Sequence, residues 1–133
     1  MGQISTKPAT VKLKHYVNWF EIPALNIHRA VAFYNHIYNI KMETIESNGY
    51  YMAFFPAEKG IGGAVVMGQG STPSETGTLV YLNGGPDLSP ILNRIGEAGG
   101  RVVMEKTLIN NKAGYFALFI DTEGNKLAIH SKN

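Results

Sequence analysis

Two side chains far apart in the sequence, Glu21 and His130, are of the types that move protons near neutral pH: a carboxylate and an imidazole. Each sits in a run that reads as a strand, Tyr16-Val17-Asn18-Trp19-Phe20-Glu21-Ile22-Pro23 and residues 125–131. Alternate residues of a strand share a face. Trp19 therefore stands with Glu21, Tyr81 with Asn83, and Ala128 with His130. If these faces met, Glu21 and His130 would form an acid/base couple beside the aromatic walls of Trp19 and Tyr81. Asn83, or Asn18 on a slipped register, would add an amide. A buried Glu21 would have its pKa raised unless a cation or hydrogen bonds stabilised its charge. Plainer readings stand beside these. Glu21 can pair with a lysine or a backbone donor, His130 can be a satisfied edge-strand histidine, and Trp19 and Tyr81 can be core.

The remaining candidates carry less. His15, His28 and His36 read as surface residues, and Asp121 and Glu123 as turn residues. The glycines at 60–63 lack both the GxxxxGK[ST] pattern and the following helix of a phosphate cradle. There is no cysteine, which excludes disulfides, thiolate metal sites and a cysteine nucleophile. That absence also fits a reducing, cytoplasmic location.

The 133 residues suit one domain or two small modules sharing a core. A hydrophobic fraction of 44% and a charged fraction of 17% are those of a globular protein. The net charge is +2, and the basic residues are scattered rather than clustered, so no nucleic-acid partner is expected. No apolar run approaches the ~20 residues of a membrane span, and no apolar signal core opens the chain. Residues 1–14 are polar and aperiodic and read as a loose arm before a domain at 15–132.

The elements that must position Glu21 and His130 are written twice. Gly114 to His130 reads as a hairpin around the turn Asp121-Thr122-Glu123-Gly124. Residues 51–64 align on 115–128 without gaps: Tyr51 meets Tyr115, Ala53 Ala117, Phe55 Phe119, Gly60 Gly124 and Ala64 Ala128. Before the first hairpin come the strand ending at Pro23, a helix capped by Asn26 and stopped near Asn39, and a strand at 41–46. Before the second come a strand at 78–83, a helix bearing Leu88, Ile91, Leu92 and Ile95 and ended by Gly99-Gly100, and a strand at 101–108. Gly68 to Gly77 is a polar linker. The predicted architecture is α+β: two βαβββ modules, at about 15–69 and 77–131, whose sheets pair into an open, cleft-forming assembly.

This doubled unit resembles the vicinal oxygen chelate superfamily of glyoxalase I, bleomycin-resistance proteins and extradiol dioxygenases. Asn26-Ile27-His28-Arg29-Ala30-Val31-Ala32-Phe33-Tyr34 is similar to that family's "D-x-x-R-A-x-x-F-Y" helix, with Asn26 for aspartate. Asp121-Thr122-Glu123-Gly124-Asn125 resembles its "D-P-D/E-G-N" turn, with Thr122 for proline. Ala98-Gly99-Gly100-Arg101-Val102 resembles the glycine-rich entry to its next strand. The likeness runs from about residue 15 to 131.

The resemblance implies a cleft that in chelating members holds a divalent ion through the first and fourth strands of each module. Carried over, the ligand positions fall on Val17, Ala64, Leu79 and Ala128, none of which binds a metal. No cofactor is therefore expected; Zn, Ni, Mn or Fe would need substitute ligands such as Glu21 and His130. The implied function is binding of a small molecule in the cleft, in a homodimer. One alternative is a lyase, isomerase or dioxygenase using Glu21 and His130. Another is a regulatory or structural module.

Overall fold

The computed structural model describes residues 12–133, so most of the arm expected at 1–14 lies outside the described residues. Ten elements follow in the order the sequence predicts: β1 (Trp19–Pro23), α1 (Ile27–Tyr38), β2 (Glu43–Ser47), β3 (Tyr50–Phe54), β4 (Gly62–Met67), β5 (Tyr81–Asn83), α2 (Ser89–Ile95), β6 (Arg101–Asn110), β7 (Gly114–Ile120) and β8 (Lys126–Ser131). The result is an α+β fold of two mixed four-stranded sheets, ordered β1-β4-β3-β2 and β5-β8-β7-β6. In each sheet the first strand runs parallel to the fourth, and the other pairs are antiparallel.

Local chemistry sets the element ends. The Asn26 side chain accepts from Arg29 N at 3.1 Å and caps α1. Asn39 ends the helix in the left-handed region at φ 55°. Gly60 and Gly124, the equivalent turn glycines of the repeat, both take positive φ (86° and 100°). Two first strands are shorter than expected. β1 begins at Trp19 rather than residue 16, and β5 covers only Tyr81–Asn83. β2 is exposed at every position instead of alternating.

Ile22, Ala53 and Val65 of the first sheet, Leu82, Ala117, Phe119, Leu127 and Ile129 of the second, and the apolar faces of both helices form one buried cluster. Phe33 of α1 packs edge-on against Tyr34 and lies 6.1 Å from Phe119 of the other module. The sheets therefore meet through their helix-bearing faces. Glu21 and His130 alternate with the core residues Ile22 and Ile129, so both point away from this shared interior. The buried cluster between the sheets includes neither of them.

Candidate functional site

The open face of the first sheet carries Trp19 and Glu21 on β1, Gly62, Ala64 and Val66 on β4, and Phe54 and Met52 on β3. A large ring needs room beside a neighbouring strand, and the glycines supply it. A Cβ on Gly62 would lie 3.1 Å from the Trp19 ring, and one on Gly63 would lie 2.3 Å from the Phe20 ring on the opposite face. The glycines at 60–63 thus serve a turn and two aromatic rings.

Trp19 is 44% exposed, which sets aside the core reading for it. Its ring lies 6.1 Å from that of Phe54, and its Nε1 donates to Glu21 Oε2 at 3.3 Å. Trp19, Phe54 and Asn18, with Glu58 and Lys59 of the β3–β4 turn, line a bowl of about 350 Å3. An aromatic floor with an amide and both charges at its rim suits a small, partly apolar ligand.

Tyr81, Asn83 and His130 share the open face of the second sheet. Tyr81 is 53% exposed, again not core, and its ring stands 6.2 Å from Phe116. Asn83 Oδ1 accepts from Gly85 N at 2.8 Å, and its carbonyl accepts from the Tyr38 hydroxyl. His130 lies on β8, inside the sheet rather than at its edge, with Nε2 2.5 Å from the Ala113 carbonyl oxygen. Among the described residues no hydrogen bond links Glu21 to His130. Trp19, Glu21 and Asn18 are brought together, and so are Tyr81 and His130, but the two groups belong to different sheets, and among the described residues no hydrogen bond joins them.

The register bears on the metal. Glu21 stands directly beside Ala64, and Tyr81 beside Ala128. The first-strand positions that neighbour these alanines are therefore Glu21 and Tyr81, not Val17 and Leu79. One carboxylate and one phenol fall short of a divalent-ion site, and among the described residues no three His, Asp or Glu side chains are grouped to hold one. The donor set does not fit the metal of the chelating proteins.

The Asp121–Asn125 turn is structural, and it carries more than a turn requires. Glu123 Oε1 accepts from Leu25 N (2.9 Å), Asn26 N (2.8 Å) and Arg29 Nη2 (3.0 Å), while Oε2 accepts from Arg29 Nε (2.7 Å) and Thr122 Oγ1 (2.8 Å). Burial pushes this carboxyl up, but its donors outweigh that and hold it below its ordinary value. The Arg29 guanidinium is pushed up in return, first by its hydrogen bond to Glu123. Asp121 accepts from the Tyr34 hydroxyl at 2.7 Å, and burial drives that phenol well above its ordinary pKa. Arg29, Tyr34, Asp121 and Glu123 all lie in motifs already legible in the sequence, and their role is to clamp one module onto the other.

Solved structures share this fold. A glyoxalase I mutant from Zea mays matches with a TM-score of 0.63 at 14% identity, covering 86% of this chain and 43% of its own. A glyoxalase/bleomycin resistance protein from Albidiferax ferrireducens matches with a TM-score of 0.62 at 16% identity, covering 90% of this chain and all of its own. The trypanothione-dependent glyoxalase I of Leishmania major matches with a TM-score of 0.64 at 12% identity, covering 90% and 88%. The chain has the vicinal oxygen chelate fold, that of glyoxalases and bleomycin-resistance proteins. At these identities the likeness establishes the fold alone, and the chain spans less than half the length of the maize protein. Neither a protein-family profile nor a curated protein matches the sequence. Among the described residues no helix is long and apolar enough to cross a membrane.

Proposed function

We propose that this protein binds a small molecule against the open face of its first sheet, without a resident metal, and that a second copy completes the site. The observation that carries the reading is the placement of Trp19. The chain sets its largest aromatic side chain on the outer face of an edge strand, leaves the facing position as Gly62, and fixes the indole nitrogen with Glu21. A ring kept exposed beside Phe54 is what a ligand-stacking wall requires. Trp19 stands on the outer face of one sheet and Tyr81 with His130 on that of the other, so a cleft containing both would be built with the second sheet of another copy. The resemblance to glyoxalase and bleomycin-resistance proteins supports this arrangement.

The test is a thermal-shift screen of small aromatic and heteroaromatic molecules against the wild type, Trp19→Ala and Phe54→Ala. The reading predicts hits that stabilise the wild type and lose their effect in both variants. Hits that stabilise all three proteins equally would place binding elsewhere and refute it.

A further inference from the structure

A second cavity, of about 210 Å3, lies where the two modules and the linker converge, between the end of β1, residues 72–80 and the start of β8. Its lining brings Glu21 and Lys126 to one space. They carry opposite charges yet form no ion pair. Among the described residues the ion pairs are Arg29–Glu123, His36–Glu97 and Lys106–Asp87. Thr72 and Thr78 also line the cavity, and within the described residues neither side chain is engaged in a hydrogen bond. Pro23 and Val80 add an apolar wall.

The frame of this cavity is rigid. Asn125 Nδ2 donates to the Pro23 carbonyl at 2.7 Å, and its Oδ1 accepts from Ser74 N at 3.2 Å, tying β1, the linker and the β8 turn together. Lys126 N donates to the Ser74 carbonyl at 3.2 Å. The two charged side chains thus start from backbone that is fixed on either side of a gap.

We infer that this junction cavity binds a small zwitterion, an α-amino acid with a short aliphatic side chain, its ammonium on Glu21 and its carboxylate on Lys126. A cavity of 210 Å3 equals the liquid volume of about seven waters, which gives room for a molecule of that size. Thr72 and Thr78 would complete the hydrogen bonding of the charged ends, and Val80 with Pro23 would cover the aliphatic part. This inference goes beyond the Trp19 site and does not rest on it. The two share only Glu21.

The test is calorimetric titration of the whole protein with L-valine, and with isobutyrate and isobutylamine, which each keep one charge. Valine should bind saturably, and either single-charge analogue should bind at least about tenfold more weakly, the worth of one charge-assisted contact. Lys126→Met should weaken valine by a similar factor, whereas Phe54→Ala, which alters only the Trp19 bowl, should leave it unchanged. No saturation by valine below about 10 mM would overturn the proposal, as would isobutylamine binding as tightly as valine. Binding lost in Phe54→Ala but retained in Lys126→Met would place the amino acid in the Trp19 bowl and also overturn it.

Discussion

Glu123 and Arg29 are joined across 94 residues of sequence by two hydrogen bonds, with Arg29 Nε 2.7 Å from Glu123 Oε2 and Arg29 Nη2 3.0 Å from Oε1. The Glu123 side chain is fully buried, while that of Arg29 is half exposed. The carboxylate also receives the backbone N–H groups of Leu25 and Asn26 at the start of α1, where the helix dipole favours negative charge. A turn of the second module thereby fixes the first helix of the other. Removing the carboxylate strands two backbone donors and a guanidinium together. Glu123→Ala should cost about 3 kcal/mol of stability, read from the midpoint of urea unfolding. Arg29→Ala should cost less, because the buried carboxylate keeps three other donors, the N–H groups of Leu25 and Asn26 and the Thr122 hydroxyl.

The same carboxylate sets an acid limit. Its folded pKa lies below the ordinary 4.5, so the unfolded chain binds more protons in the interval between the two values. Stability supplied by ionised Glu123 is complete above about pH 4.5 and is lost as pH falls through the folded pKa. Asp87, held down to about 2 first by the Ser89 backbone N–H, acts in the same direction from 3.8 downward. Melting temperature should fall from pH 5 towards pH 3, and Glu123→Gln should flatten the upper part of that slope. Parallel slopes for the two proteins would contradict this assignment.

Gly63 is held by sterics rather than by backbone conformation. Its added Cβ would meet Phe20 at 2.3 Å, and that ring is packed 5.6 Å from Phe55. Gly63→Ala should destabilise by about 2 kcal/mol, and Phe20→Leu in the same chain should recover part of the loss. Additive costs in the double variant would show that the ring does not oppose the methyl group.

Much of this architecture was legible because it is local. The hairpin repeat, the Asn26 cap, the Asn39 stop and the paired turn glycines each depend on neighbours within a few residues. What the sequence did not disclose is which faces meet. Period-two alternation puts Glu21 opposite Ile22 and His130 opposite Ile129, but it does not say that both isoleucines enter one core. Glu21 and His130 stand on the outer faces of different sheets, and among the described residues no hydrogen bond joins them. Register was equally hidden. A slip of four residues separates Val17 from Glu21, and only the pairing of Glu21 with Ala64 fixes it. For Arg29 and Glu123 a signal was present, since both lie in the quoted motifs, but a motif gives no partner at a distance of 94 residues.

The donor set makes a prediction about metals. Protein dialysed against chelator and then incubated with zinc, nickel, manganese or ferrous iron should retain far less than one ion per chain by elemental analysis. Stoichiometric retention would mean that Glu21 recruits ligands from another copy.

Ultracentrifugation tests that second copy. The proposed cleft requires a dimer at twice the chain mass, and Ile45→Lys, a change at an exposed position on the same open face, should shift it towards monomer with little change in melting temperature. A wild-type monomer at every concentration would remove the second copy from the account.

The most direct test of the proposed ligand site uses the protein's only tryptophan. Emission of Trp19 is titrated with a molecule that raises the melting temperature. A ligand stacked on the indole should quench or shift the emission to saturation, with the same midpoint as its thermal stabilisation. Full stabilisation with unchanged Trp19 emission would contradict the assignment of this face as the binding site.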